Sequence, residues 1–280
     1  MTKTSIRTSI LAMLVLLSLS ACTQPEDATW TSVQNSGVLR VGMDAAYPPF
    51  EVINAESGAF EGFDVDLALE IGERLGLEIA FTNISFDGLY DALLTNQVDV
   101  VISALPVLDD VQGRALFTLP YFNNGDRLVM PVGADFVTMS DLEGRTLAVE
   151  LGSGGDVEGR LWERRLRDLN IYRYNTPAEA LQAVAEGQAD AALVDAISAR
   201  LGVGQNPDLA LGEHVNEILF AGAVHPNSRR LKAQLDAVLN EMLRDGTVDA
   251  LLERWFGPQR EVETSGAHPL ARPYTVSLAH

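Results

Sequence analysis

The chain has 280 residues, 20 of them Lys or Arg and 39 Asp or Glu, giving a formal net charge of −19. Apolar residues make up 47 % and charged residues 21 %, a globular balance, and the length suits two domains or one large one. A pI of about 4.5 without a Lys/Arg cluster excludes attraction to a phosphate backbone, a single cysteine excludes an internal disulfide, and His214, His225, His268 and His280 lack metal-ligand spacing, so no nucleic acid, metal or cofactor is expected.

Lys3 and Arg7 are the only charges before residue 26, and they precede the apolar run of residues 10–19. That pattern reads as an export signal over residues 1–21. The run is shorter than the ~20 apolar residues needed to span a bilayer, and no second run of that length follows. Leu19-Ser20-Ala21-Cys22 is similar to the bacterial lipobox, a resemblance that implies a diacylglyceryl group on the Cys22 sulfur. Without the two leader cations the balance is 18 positive against 39 negative charges, which suits a soluble body repelled by anionic lipid and held by acyl chains. Residues 22–36 are polar and aperiodic, as a tether would be.

Residues 38–41 form a short apolar strand, followed by Gly42 and the turn-rich Asp44-Ala45-Ala46-Tyr47-Pro48-Pro49-Phe50, where two prolines forbid helix. Asp64 is a candidate cap for a helix carrying Val65, Ala68, Leu69, Gly72 and Leu75 and ending at Gly76. A strand over 78–82, a helix capped by Ser85 with Leu89, Tyr90, Leu93 and Leu94, and a buried strand over 98–104 complete a β-α-β-α-β plan.

The second half repeats it. A strand over 146–150 runs into Gly152-Ser153-Gly154-Gly155 and a helix over about 157–169, then a strand over 171–174. Thr176-Pro177-Ala178-Glu179 is a capping box with proline at the first helical position, and that helix ends at Gly187 before a strand over 189–194. At an offset of 91 residues, positions 91–104 fall on 182–195, with Ala92/Ala183, Gln97/Gln188 and Asp99/Asp190 identical. Ligands of open α/β sheets sit beyond the carboxyl ends of strands, so Ser103-Ala104 and Asp195 are expected at equivalent mouths of two lobes, with a cleft between them. Residues 218–224 would cross back to the first lobe. A stripe of Leu231, Leu235, Val238, Leu239 and Met242 and a short helix over 248–256 close it, and residues 258–280 read as a tail packed on the surface or disordered.

The segment Gly62-Phe63-Asp64-Val65-Asp66-Leu67-Ala68-Leu69-Glu70-Ile71-Gly72-Glu73-Arg74-Leu75 resembles the signature of family-3 bacterial extracellular solute-binding proteins, the polar-amino-acid receptors of ABC importers. The resemblance extends from about residue 38 to 257 and includes Tyr47-Pro48-Pro49-Phe50, Leu142-Glu143-Gly144-Arg145-Thr146, Asp245-Gly246 and Arg254-Trp255-Phe256-Gly257. It implies an α/β, two-lobed periplasmic-binding-protein fold of type II, each lobe a parallel-rich sheet flanked by helices, joined by two hinge strands. Lobe one would take residues 37–124 and 225–257 and lobe two residues 125–224, with crossings near 123–128 and 217–225.

Carried over by position, the resemblance implies that Tyr47 and Phe86 sandwich the ligand side chain, with core packing as the alternative. Asp44 would assist them. Asp195 would accept an α-ammonium group, or else cap a helix. Ser103, Ala104 and Leu105 lie on a loop whose backbone addresses the ligand. Ser153 and Gly154 open a helix whose free N–H groups suit a carboxylate. One departure stands out: the family arginine that clamps the carboxylate falls on Val111, and Pro106 stands where Ser or Thr is common. Arg114 is the nearest replacement, reachable if Gly113 lets the loop rearrange; without it, Asp109 and Asp110 favour an amine.

The expected function is that of a monomeric, lipid-anchored receptor outside the cytoplasm, on the periplasmic or outer face of the membrane. It would bind a small polar solute, an amino acid before an amine, and deliver it to an ABC permease. The alternatives are a cyclohexadienyl or arogenate dehydratase-like enzyme on the same fold, and a sensor acting through a separate membrane partner. No Gly-x-Ser-x-Gly elbow and no Gly-x-Gly-x-x-Gly after a strand is present.

Overall fold

A computed structural model of the chain describes residues 27–108 and 113–262. The leader, Cys22, Asp109, Asp110, Val111 and the segment 263–280 lie outside the described residues. The first part of the chain runs α1 (Ala28–Ser36), β1 (Val38–Met43), β2 (Ala46–Tyr47), β3 (Glu51–Ile53), β4 (Phe60–Glu61), α2 (Phe63–Leu75), β5 (Glu78–Asn83), α3 (Leu89–Leu94), β6 (Val100–Val101), β7 (Leu116–Asn123) and β8 (Asp126–Pro131). It continues through β9 (Thr146–Glu150), α4 (Gly154–Glu163), β10 (Asn170–Tyr174), α5 (Pro177–Ala185), β11 (Ala191–Asp195), α6 (Ala196–Gln205), β12 (Leu209–His214), β13 (Leu219–Val224), α7 (Arg229–Arg244) and α8 (Thr247–Phe256).

Two five-stranded sheets result, β5-β1-β6-β13-β7 and β10-β9-β11-β8-β12. In each, a three-strand parallel heart (β5, β1 and β6; β10, β9 and β11) carries antiparallel strands at one side. The 91-residue echo has a structural meaning. Asp99 takes the Arg40 N–H on its Oδ2 at 3.0 Å and returns its own N–H to the Arg40 carbonyl at 2.9 Å. Asp190 does the same with Thr146, at 2.7 and 3.1 Å. Each aspartate thus fastens the start of its sheet's central strand.

The chain leaves the first sheet after Asn123 and returns to it at Leu219. The two crossings are bonded side by side: Asn124 N–H donates to Ile218 O at 2.7 Å, Val215 N–H to Asp126 O at 2.8 Å, and Ile218 N–H to Asn123 Oδ1 at 3.0 Å.

Several expectations need correction. Residues 28–36 of the expected tether form a helix, because Trp30 and Val33 bury against the lobe-one core and Thr29 Oγ1 bonds Ser228 Oγ at 2.7 Å. Asp64 does not cap α2. Gly62 holds that place at φ 139°, where a Cβ would meet Phe50 O at 2.0 Å, and Asp64 is buried inside the first turn. The turn-rich segment after β1 contributes to a small sheet, β2-β3-β4. The strand expected over 98–104 is regular only at Val100–Val101, and Ser85 makes no cap bond. The helix expected over 157–169 is Gly154–Glu163, and helix α6 was not foreseen beyond its cap.

The start of the expected tail is docked. Leu211 N–H donates to Arg260 O at 2.7 Å and Val262 N–H to Leu211 O at 3.0 Å, so residues 260–262 add a bridge to the open edge of β12. Arg127, 3 % exposed, reaches Glu261 Oε1 at 3.1 Å. Because α8 packs in the lobe-one core, this segment joins the two lobes a third time.

The candidate ligand cleft

Phe50, Phe63, Phe122, Phe220 and Phe256 meet edge to face or stacked, with centroids 5.1–6.2 Å apart. This cluster joins the Pro-Pro-Phe turn, the start of α2, both hinge strands and the end of α8. Tyr47 stacks on Phe50 at 5.7 Å with planes 8° apart, so a ring at the cleft rests on the aromatic floor of the hinge. Tyr47 and Phe86 are 46 % and 45 % exposed, which excludes a core role for either.

Both line a cavity of about 410 Å³ with Asp44, Glu51, Ser103, Ala104, Pro106 and Phe220. A larger hollow of about 770 Å³ lies along α5 and α6, but no titratable group among the described residues lines it. Asp44 accepts the Phe86 N–H at 2.9 Å, which fixes the ring's approach, and its own N–H donates to Ser103 Oγ at 2.9 Å. Ser103 in turn donates to Glu51 Oε1 at 2.7 Å. Its hydroxyl is therefore engaged within the floor. Ala104, at φ 41°, donates its N–H to Asp64 Oδ2 at 2.6 Å, and the Tyr121 hydroxyl donates to the same oxygen at 2.9 Å. Burial pushes both Glu51 and Asp64 up, and the Asp64 charge raises Glu51 further, while the bonds from Ala104 N–H and the Tyr121 hydroxyl hold Asp64 lower. Glu51 was not singled out from the sequence.

On lobe two, Asp195 caps α6, its Oδ1 accepting the Ser198 N–H at 3.0 Å. Its charge also acts on lobe one: the Tyr47 phenol is raised first by burial and next by Asp195. Asp126 was missed as well. It is the cross-strand partner of Asp195, is 7 % exposed, and is raised by burial and by the charges of Asp195 and Glu158 against one bond from Asn216 Nδ2 at 2.8 Å. The signal was available in the Asn-Gly-Asp of the first crossing.

The expected carboxylate sites look different in place. Ser153 caps α4 by accepting the Asp156 N–H at 3.2 Å and donates to Glu150 O at 2.8 Å, while Asp156 Oδ2 takes the Gly152 N–H at 3.1 Å. Gly154 lies against Asp126, whose Oδ2 would be 2.8 Å from a Cβ. Arg114 does not reach the cavity. Its Nη2 pairs with Asp91 at 2.9 Å and its guanidinium lies over the Tyr90 ring. Leu105 is buried in a satellite core and accepts the Ala221 N–H at 3.0 Å, so it braces the loop from behind. Among the described residues no group of His, Cys, Asp or Glu could hold a metal.

Two lobes around an open, acid-lined and aromatic-walled cleft define a binding protein for a small solute. The family model of bacterial extracellular solute-binding proteins, family 3, matches residues 39–258, and the chain belongs to that family. It is 33 % identical to a putative amino-acid ABC transporter-binding protein, PatH, of Vibrio harveyi, over 81 % of this chain and 91 % of that one. It is 27 % identical to a cyclohexadienyl dehydratase of Pseudomonas aeruginosa, over 88 % and 92 %. Among solved structures it is similar to an ancestral cationic amino acid solute-binding protein, with TM-score 0.60, 27 % identity, and 81 % and 99 % covered.

Proposed function

We propose that the chain is an extracytoplasmic receptor that closes its lobes on a small polar solute and delivers it to an ABC permease. The amino-acid class is the one the relatives' names point to. The observation that carries the reading is the cavity walled by Tyr47, Phe86 and Asp44 of lobe one, with Asp195 of lobe two acting on the Tyr47 phenol through its charge. Closure would expel water, strengthen each of these contacts, and make the open–closed equilibrium part of the apparent affinity. One chain supplies both walls, so a monomer suffices. A lipid on Cys22 would hold the receptor beside its permease, and no helix of the described residues is long and apolar enough to cross a membrane.

The dehydratase relative gives the competing reading. Such chemistry needs a positioned acid or base and cationic groups for its carboxylates. Glu150 and Asp195 would be the acids, but among the described residues no lysine or arginine lines the cavity. We therefore read the chain as a carrier.

Small-angle scattering on ligand-stripped protein tests this: a true ligand should shrink the radius of gyration. Conversion of arogenate or prephenate by the purified chain would overturn the reading in favour of the enzyme. Capture of a signalling protein instead of a permease would overturn it in favour of a sensor.

A further inference from the structure

We propose that the cleft selects an organic amine, a molecule presenting an ammonium group and carrying no carboxylate. The inference rests on the receptor reading and specifies its ligand.

It begins with a pair of like charges. Asp126 and Asp195 are directly opposed on adjacent antiparallel strands and so share one face of the sheet, an arrangement that is unfavourable in itself. A single neutral amide, Asn216, bonds Asp126, and a backbone N–H bonds Asp195. Neither has a cation partner among the described residues. The neighbouring Arg127 points to the other face, where it bonds Gly212 O and Glu261. On lobe one, Asp44, Tyr47 and Phe86 line the cavity, and the Asp195 charge reaches the Tyr47 phenol. A cationic ligand would relieve the Asp126–Asp195 repulsion and stack on aromatic surface.

A carboxylate finds no cation in the cavity lining among the described residues. The arginines nearest to the expected clamps are committed: Arg114 to Asp91, and Arg160 and Arg173 to Asp156. The sequence of residues 109–112 is Asp-Asp-Val-Gln and holds no cation. The chain's own acids crowd the mouth of α4, where a carboxylate would dock: Asp156 takes the Gly152 N–H just before it, and Asp126 lies against Gly154. A free amino acid would bring its negative group among acids on both lobes.

The test uses pairs that differ only by the α-carboxylate: putrescine against ornithine, cadaverine against lysine, agmatine against arginine, and tyramine against tyrosine. Each is titrated calorimetrically into the full chain after unfolding and refolding to remove carried ligand. At least one amine should bind tenfold or more tightly than its amino acid. Asp195→Asn preserves the helix cap, since Asn and Asp cap equally well, and should weaken that amine at least tenfold, as should Asp126→Asn. If a variant fails to fold, the salt dependence of the parent serves in its place, and the amine's affinity should fall as salt rises. An amino acid bound as tightly as its amine twin overturns the inference and leaves the receptor reading standing. Binding of no member of any pair overturns both.

Discussion

Glu51 and Asp64 sit beneath the cleft as a buried carboxyl pair, and burial raises both above their ordinary range. Asp64 receives the Ala104 N–H and the Tyr121 hydroxyl, so it is the better anion, and Glu51 is the member that keeps the proton. A folded pKa above the unfolded one means that folding binds protons. The stabilising contribution is therefore complete in acid, below the ordinary carboxylate values, and is lost as pH rises toward the raised ones. Glu51→Gln imitates the protonated side chain, still accepting from Ser103 and able to donate to Asp64. Its melting temperature should match the parent near about pH 5 and exceed it by about 3 °C or more near about pH 9, read by calorimetry. A constant difference across pH would refute the shared proton. The cavity-lining places of Tyr47 and Phe86 were legible from the sequence position. Asp64 was misread because an acid before an apolar run looks like a cap until its buried partner is seen. Asp126 and Glu51 escaped notice because their meaning depends on strands and loops distant in sequence.

Elements with one buried stripe or a buried run, such as α2, α7, β9 and β11, could be read from the chain directly. Helix α6 could not. Ala196, Ile197 and Leu201 face one core and Ala199 and Val203 another, so its apolar residues surround the axis and leave no stripe. The short strands β2, β3 and β4 carry too few residues to show alternation. The repeated Asp99 and Asp190 fare better, since a weak identity marks a shared job at the start of each central strand. Asp99→Ala and Asp190→Ala should each cost about 1–3 kcal/mol, because a buried strand N–H loses its acceptor. The two sites lie in different sheets, so the double variant should add within about 0.5 kcal/mol in urea unfolding. Strong coupling would mean that the lobes do not hold these fastenings independently.

At the scale of the molecule, two hinge crossings and the docked segment 260–262 tie the lobes together. Arg127 is buried and is lowered by desolvation, and Glu261 is its acidic partner. Glu261 is itself 37 % exposed, which discounts the pair. Glu261→Ala should cost about 1–3 kcal/mol, lowering the melting temperature by roughly 2–4 °C per kcal/mol. An unchanged melt would show that residues 260–262 hold by backbone pairing alone. Surface packing was one of the two readings of this tail, but its place could not be foreseen, because three residues beside a strand edge carry no periodicity.

The docked segment also decides where the two ends of the described chain ride. Helix α1 belongs to lobe one, through Trp30 and Val33, whereas Val262 packs against lobe two. The ends therefore sit on opposite sides of the moving joint. A donor and an acceptor fluorophore, one attached just before residue 28 and the other just after residue 262, should change their energy transfer when ligand is added. The molecule is in this sense already wired as an optical reporter of its own closure.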